Sequence, residues 1–303
     1  MSELTDFQVK ICNFLPNIEL KLDEPMSRHT SFHIGGPAEV IAFPKTIDEL
    51  SQIMKTSTLL DVVPYIIGAG TNILAPDDGL RKLTICLKDG LCDLEQLNAT
   101  HIRVGAGVSM TKAALFAAGL GLSGLEFAHG IPGSIGGGVY MNAGAYGGEI
   151  KDVCVQVEVL YPDGTIVNYS AEQMGFSYRH SRLENEPGIV TAAVFELTAK
   201  PEEEIRQLMR ELAAKRKVSQ PLDKPSAGSA FKRPATGYAA ALIDQAGLRG
   251  FQIGGAAVSE KHAGFVVNLG GATAHDVKML LHQVSDIVYD KTGIRLEPEV
   301  RIW

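Results

Sequence analysis

Between Phe127 and Gly148 the chain runs for 22 residues without a formal charge, and eight of them are glycine. Glycine loses more backbone freedom on folding than any other residue, so this stretch is a poor helix or strand on its own terms. Its length would suffice to cross a bilayer. His129, Pro132, Asn142 and the glycines exclude that, because a frayed backbone in lipid leaves polar groups unpaired. What the segment offers instead is close approach of backbone to a ligand. With no side-chain charge in it, an anionic ligand would be held by N–H groups and dipoles. A second cluster, Ile66-Ile-Gly-Ala-Gly-Thr-Asn-Ile73, follows an expected strand with a Gly-x-Gly turn. Ile73 stands where a dinucleotide fingerprint has its third glycine, and no Gly-Lys-Ser/Thr of a P-loop follows. Alone, that turn reads equally well as plain structure. Together, the two nests imply two contact points on one extended phosphorylated ligand, such as a dinucleotide.

Composition narrows the class. The 303 residues are 45% hydrophobic and 21% charged, which is ordinary globular usage and excludes a disordered chain. Lys and Arg number 28 against 35 Asp and Glu, a net charge of −7 that argues against a generic nucleic-acid binder. The four cysteines, Cys12, Cys86, Cys92 and Cys154, form no C-x-x-C pair or zinc spacing, so no metal site is expected. A long chain so poor in cysteine reads as reduced and cytoplasmic. Met1 to Lys10 has no apolar run of the signal-peptide kind, and a soluble protein without membrane partners is expected.

Short β-rich runs alternate with amphipathic helices. Ala38–Phe43, Val62–Ile67, Leu83–Leu87 and His101–Val104 read as strands. Thr46-Ile-Asp-Glu49 reads as a capping box with Ile47, Leu50, Ile53 and Met54 behind it, and Ser109 caps a helix running to about Gly119. Pro162-Asp-Gly164 joins Val155–Tyr161 and Thr165–Tyr169 as a hairpin. A helix from Pro201 to Lys217 has acids first, bases last, and an expected buried stripe of Ile205, Leu208, Met209 and Leu212. The last helix starts near Thr273, buries Val277, Leu280, Leu281, Val284 and Ile287, and stops at Gly293. From Ile294 to Trp303 the residues alternate, with Leu296, Val300 and Ile302 opposite Glu297, Glu299 and Arg301, as in a strand. The expected organisation is α+β: residues 1–199 as one region of two subdomains (about 1–97 and 98–199), and 200–303 as a smaller domain.

Several motifs then occur in one order. They are Thr30-Ser-Phe-His-Ile-Gly-Gly-Pro37, Gly68-Ala-Gly-Thr-Asn72, Gly124-Leu-Glu-Phe127, Gly130-Ile-Pro-Gly133, Met141-Asn-Ala-Gly-Ala-Tyr-Gly-Gly148, Tyr178-Arg179, Pro225-Ser-Ala-Gly-Ser-Ala-Phe-Lys232 and Glu299-Val300. In this order, from about residue 26 to the C-terminus, the chain resembles the UDP-N-acetylenolpyruvoylglucosamine reductases, the MurB family of bacterial peptidoglycan synthesis. The resemblance implies an FAD-binding region of the vanillyl-alcohol-oxidase (PCMH) type followed by a smaller α+β substrate-binding domain. It implies non-covalent FAD, NADPH as hydride donor, and reduction of the enolpyruvyl ether of UDP-N-acetylglucosamine to UDP-N-acetylmuramate. The length is similar to the shorter subtype, which lacks an insertion carrying a substrate-binding tyrosine. Two departures are Arg233, where many members have Asn, and His33, where Arg is frequent.

Carried over position by position, the resemblance places Gly68, Ala69, Gly70, Thr71, Asn72, Gly133, Ser134, Ile135, Gly138 and Asn142 at FAD. It places Tyr178, Lys232 and Arg233 at the substrate, and gives catalytic roles to Arg179, Ser229 and Glu299. A guanidinium suits a carboxylate on which charge builds, since its planar fork matches both oxygens. Ser229 would protonate the carbon beside that carboxylate, and Glu299 would assist. Independently, Lys215 to Arg233 contains Lys215, Arg216, Lys217, Lys224, Lys232 and Arg233 against Asp223 alone, a positive field suited to a diphosphate. The rival readings are a flavin oxidase with covalent attachment through His129 or Cys154, and a nucleotide-sugar binding protein without turnover.

Overall fold

The computed structural model describes residues 4–303. Seven α-helices carry the labels α1 (Asp6–Phe14), α2 (Ile47–Leu59), α3 (Met110–Gly119), α4 (Ile135–Tyr140), α5 (Glu202–Ser219), α6 (Ala239–Gln245) and α7 (Ala274–Thr292). The chain divides into two compact units. One takes the chain up to Leu22, then Glu39–Ala69 and Lys82–Ala214; the other takes Asp23–Ala38, Gly70–Arg81 and Lys215–Trp303.

The first unit is built on two sheets. Five antiparallel strands run in the order Ile166–Ser170, Cys154–Leu160, Ile189–Glu196, His101–Gly105 and Leu94–Gln96. The hairpin at Pro162–Gly164 forms as expected, with Asp163 accepting from the Thr165 N–H (2.8 Å) and hydroxyl (2.7 Å). Strands Leu20–Pro25, Pro37–Ala42, Leu80–Cys86 and Tyr65–Ile67 make a four-stranded sheet, the last pair parallel. Its Leu83 and Ile85 share one apolar core with Leu50, Ile53 and Met54 of α2 and with Ile102, Val104, Val157 and Phe195 of the five-stranded sheet.

The caps follow the sequence with one revision. Ser109 accepts from the Lys112 N–H at 3.1 Å and starts α3. Thr46 accepts from the Glu49 N–H at 3.2 Å, but the Glu49 carboxylate reaches past it to the Lys45 N–H at 2.6 Å, so the reciprocal half of the expected box is displaced by one residue. Helix α1 was not foreseen: it starts in a true box between Thr5 and Gln8, and Gln8 Nε2 donates to the Glu39 carbonyl at 3.1 Å. In α5, Ile205, Met209 and Leu212 are buried, whereas Leu208 is 43% exposed and falls outside the expected stripe. Positions 205, 209 and 212 lie on one helical line that Leu208 flanks.

The second unit holds antiparallel strands in the order Ser226–Ser229, Phe265–Asn268, Ala256–Val258 and Gln252–Ile253. Val277, Leu280, Leu281, Val284 and Val288 of α7 pack on Ala256, Val258 and Val266, with α6 beside them, while Ile287 is only partly buried. Gly293 ends α7 in the left-handed region, φ +71°. The start of α7 explains why Gly70–Arg81 belongs here rather than with its sequence neighbours. Asp77 accepts the Ala274 and His275 N–H groups at 2.7 and 3.0 Å, and Thr273 accepts from Asp276 at 3.0 Å. Those groups would otherwise be unpaired at a helix start. Asp23–Ala38 is drawn in likewise, with Asn268 Nδ2 donating to the Phe32 carbonyl at 2.9 Å. A single cut after residue 199 therefore does not describe the packing: two earlier excursions join the C-terminal core, and the later cut falls inside α5.

The end of the chain also differs from the expected strand. Only Arg301–Ile302 is a strand, parallel to Ile73–Leu74, and Ile302 is 43% exposed although Leu296 and Val300 are buried. Pro298 has no N–H for a ladder, and it faces Phe231 in an isolated antiparallel bridge flanked by backbone bonds from Lys232 to Glu297 and from Glu299 to Ala230.

Candidate functional site

Strand Tyr65–Ile67 delivers the chain into Gly68, and there the first nest takes shape. A Cβ on Gly68 would overlap Ser134 Oγ, at well under 3.0 Å. That hydroxyl is buried and has no hydrogen-bond partner among the described residues. An unpaired buried hydroxyl is unfavourable by about 1–3 kcal/mol, so a polar ligand beside Gly68 and Ser134 would complete the site. Gly68 and Ala69 belong to the first unit; Gly70, Thr71 and Asn72 belong to the second. Gly70 takes φ +63° and lies so close to the His29 carbonyl that a Cβ could not be accommodated.

The second nest is more structural than its composition implied. Ile135 is fully buried and gives its N–H to the Val108 carbonyl at 2.8 Å, and Gly136 gives its own to Ala106 at 2.8 Å. A Cβ on Gly138 would come within 2.7 Å of Met110 Sδ, and one on Gly148 within 2.8 Å of the Phe127 ring. Packing against neighbours therefore accounts for glycine at those two positions, and the Ile135 N–H is already committed to Val108. Gly133, at φ +147°, offers its carbonyl to Met110 N at 3.0 Å. Asn142 spends its amide inside the protein, on Glu149, Ser177 and Lys151. Of the expected cofactor residues in this segment, Ser134 keeps an unused polar atom. His129 Nδ1, buried and without a partner among the described residues, is a further one. In the sequence it entered as an attachment point in the flavin-oxidase reading.

Arg179 occupies a tight turn in the first unit. Ser177 and His180 exchange two backbone hydrogen bonds (3.1 and 3.2 Å), and Arg179 takes φ +55° between them. Its guanidinium lies 5.0 Å from the Tyr178 ring centre and donates to the Gly144 carbonyl at 3.4 Å. Tyr178 is 48% exposed beside it. Behind the turn, Ser181 is fully buried and its hydroxyl donates to the Tyr140 carbonyl at 2.8 Å. Arg182 forks onto Glu186 (2.7 and 3.1 Å) and lies over the Tyr169 ring at 4.1 Å, and Tyr161 donates to Glu186 at 2.7 Å. The Arg182 guanidinium, then the Tyr161 hydroxyl, hold the Glu186 carboxyl below the usual carboxylate range.

Ser229 and Glu299, seventy residues apart in sequence, are neighbours in the second unit. The Glu299 N–H donates to the Ala230 carbonyl at 2.9 Å, and Phe231 bridges Pro298. Asn72 joins them: its Nδ2 donates to the Glu299 carbonyl at 3.1 Å, and its own carbonyl accepts from Arg301 N at 2.9 Å. The strand bearing Ser229 is bulged. Ser226 pairs with Val267 and Ser229 with Phe265, so Ala227 and Gly228 are partly looped out, Gly228 at φ +77°. Bulges re-aim the next side chain, and here Ser229 is left exposed. Sequence parity placed Glu299 on a polar strand face; its position instead comes from docking against Ala230.

In the basic stretch, the charge of Lys232 is offset by a carboxylate. Lys232 pairs with Glu297, and its N–H donates to the Glu297 carbonyl at 2.8 Å. Arg216 is buried at 7% exposure. Arg233 lies 4.2 Å over the Tyr238 ring, and its Nε donates to the Gly237 carbonyl at 3.4 Å. Attachment of a flavin through Cys154 is disfavoured: the thiol is buried, bonds to the Gln156 carbonyl at 3.6 Å, and burial pushes it up to about 12, so the reactive thiolate is scarce. No described helix is long and apolar enough to cross a membrane.

Known proteins match across this whole framework. Residues 38–170 match the family described as an FAD binding domain, and residues 220–303 match the C-terminal domain of UDP-N-acetylenolpyruvoylglucosamine reductase. Arg179 lies between the two matched segments. The UDP-N-acetylenolpyruvoylglucosamine reductase of Agathobacter rectalis is 46% identical over 98% of both chains. That of Bacillus subtilis is 44% identical over 92% of both. The crystal structure of the Thermus caldophilus reductase superposes with a TM-score of 0.79 at 36% identity, covering 95% of this chain and 99% of that one.

Proposed function

Since the chain belongs to the UDP-N-acetylenolpyruvoylglucosamine reductase family and is an FAD-dependent oxidoreductase, we propose that it reduces the enolpyruvyl ether of UDP-N-acetylglucosamine to UDP-N-acetylmuramate. NADPH is the electron donor, and the reaction serves peptidoglycan synthesis in the cytoplasm. The observation that supports this reading is the 2.9 Å bond from the Glu299 N–H to the Ala230 carbonyl, which joins the segment carrying Glu299 to the one carrying the exposed Ser229.

Bound FAD would supply the hydride. The protein's own residues do the rest. Gly68 and Ser134 would receive the cofactor, Ser134 Oγ through the hydrogen bond it lacks. Hydride addition at the terminal alkene carbon leaves negative charge on the carbon beside the substrate carboxylate. Arg179 would bind that carboxylate and favour the charge as it spreads onto the oxygens. Ser229 would give its hydroxyl proton to the carbon. A hydroxyl is a weak acid, so this step relies on placement and on a strongly basic acceptor. Glu299 would assist by polarising the same charge or a water. Tyr178, Lys232 and Arg233 would hold the nucleotide sugar.

The anaerobic visible spectrum tests this in one cuvette. Flavin bands should bleach with NADPH and return when the enolpyruvyl sugar is added. Bleaching without return would leave a flavoprotein with another acceptor. A protein that takes up no flavin even with added FAD would overturn the reading.

A further inference from the structure

Asn142 is fully buried and sits in the left-handed region, φ +42°, where asparagine is among the few side chains tolerated. Its carboxamide is spent entirely on neighbours. Nδ2 donates to Glu149 Oε2 at 2.8 Å and to the Ser177 carbonyl at 3.0 Å, and Oδ1 accepts from the Lys151 N–H at 2.9 Å. The two donated bonds go to two segments that share one purpose. Ser177 closes the turn that carries Arg179. Glu149 faces Gly144 across a short hairpin, and the Gly144 carbonyl is where the Arg179 guanidinium rests, at 3.4 Å. One amide thus fixes both the backbone from which Arg179 departs and the carbonyl against which its far end leans. Arg179 itself holds φ +55°, unfavourable for an arginine, so its turn depends on such outside bonds.

We propose that Asn142 is a positioning residue that sets the Arg179 guanidinium for the substrate carboxylate, and that it is not a cofactor ligand. The proposal rests on the reading of Arg179 given above. Replacing Asn142 removes the donors while Gly68, Ser134, Tyr178 and Arg179 keep their own side chains. Loss of a support held through hydrogen bonds should therefore appear only in ligands that Arg179 grips.

The test uses the FAD-loaded enzyme and two nucleotide sugars: UDP-N-acetylmuramate, which carries the lactyl carboxylate, and UDP-N-acetylglucosamine, which lacks it. Binding is read from the flavin absorbance shift or by calorimetry. In N142A, flavin content should match the parent, UDP-N-acetylmuramate should bind about tenfold more weakly, and UDP-N-acetylglucosamine should stay within about twofold. N142D keeps the acceptor for Lys151 and loses both donors, and it serves where N142A is not recovered folded. In an R179K background, Asn142→Ala should add less than about twofold, because the support then has nothing to position. Equal weakening of both sugars would make Asn142 a general packing residue, and loss of flavin would make it a cofactor ligand; either overturns the proposal. If R179K retained the parent's preference for the carboxylate-bearing sugar, the reading of Arg179 itself would fall, and the role of Asn142 with it.

Discussion

Gly68→Ala separates a ligand nest from a tight turn. Gly68 is not among the glycines with positive φ, so alanine suits its backbone, and any effect comes from the new methyl group. That methyl would overlap Ser134 Oγ, while Ser134 Cβ, at 3.4 Å, is in ordinary contact. The hydroxyl has one escape, rotation about χ1. Because Ser134 Oγ has no partner among the described residues, rotation breaks no hydrogen bond. The cofactor-free protein should therefore change stability by less than about 1 kcal/mol. A ligand that uses that hydroxyl would lose its bond. A hydrogen bond to a charged group is worth about 1.5–3 kcal/mol, which corresponds to roughly 10- to 150-fold in Kd. Titration of stripped protein with FAD, followed by flavin fluorescence, reads the affinity, and thermal melts of the same stripped protein read stability. Ser134→Ala should reproduce the affinity loss without the new methyl. Unchanged FAD affinity in both variants would refute the placement of FAD at this nest. A large drop in stability with unchanged affinity would make Gly68 a packing residue only.

Other outcomes follow from the same framework. Ser229→Ala should keep FAD and its reduction by NADPH but slow reoxidation by the enolpyruvyl sugar about 10²- to 10⁴-fold in stopped flow; near-normal reoxidation would remove Ser229 as proton donor. Thr273→Ala deletes the hydroxyl that accepts from Asp276 N at 3.0 Å and should lower the stability of the second unit by about 1 kcal/mol in urea denaturation. An unmoved midpoint would mean that Asp77 alone suffices for that helix start. The Glu186 carboxyl is depressed by Arg182 and Tyr161, so the unfolded chain takes up its proton first as the medium is acidified. The contribution is then complete above about pH 4.3 and is lost as pH falls through the lower folded value. Glu186→Gln should flatten the acid side of the stability profile, and a profile parallel to the parent's would show that this network does not govern it.

Much of the local structure was legible because it depends on near neighbours in sequence. Ser109 and Thr273 cap where they stand because a hydroxyl reaches an N–H three residues on. Gly293 stops α7 because the left-handed region suits glycine, and the Pro162–Gly164 hairpin closes through near neighbours, Asp163 with Thr165 and Tyr161 with Gly164 and Thr165. Order along the chain was also enough to indicate the family, since long motifs in fixed succession do not require knowledge of packing.

Contacts between residues far apart in sequence were not legible. Periodicity could not place Leu208 outside its stripe, or break the final strand at Pro298 into a segment docked on Ala230. Nor could it assign Asp23–Ala38 and Gly70–Arg81 to the C-terminal core, which follows from Asn268 and Asp77 completing hydrogen bonds across roughly two hundred residues. Asn142 marks the boundary most sharply. As a sequence letter in a glycine-rich motif it read as a cofactor contact; in the fold, two N–H groups and one carbonyl oxygen are already committed to Glu149, Ser177 and Lys151. The residue types and turns available for the chemistry could be read along the chain. Which polar atoms stayed unpaired depended on packing, because hydrogen-bond capacity is used up by whatever the fold brings near.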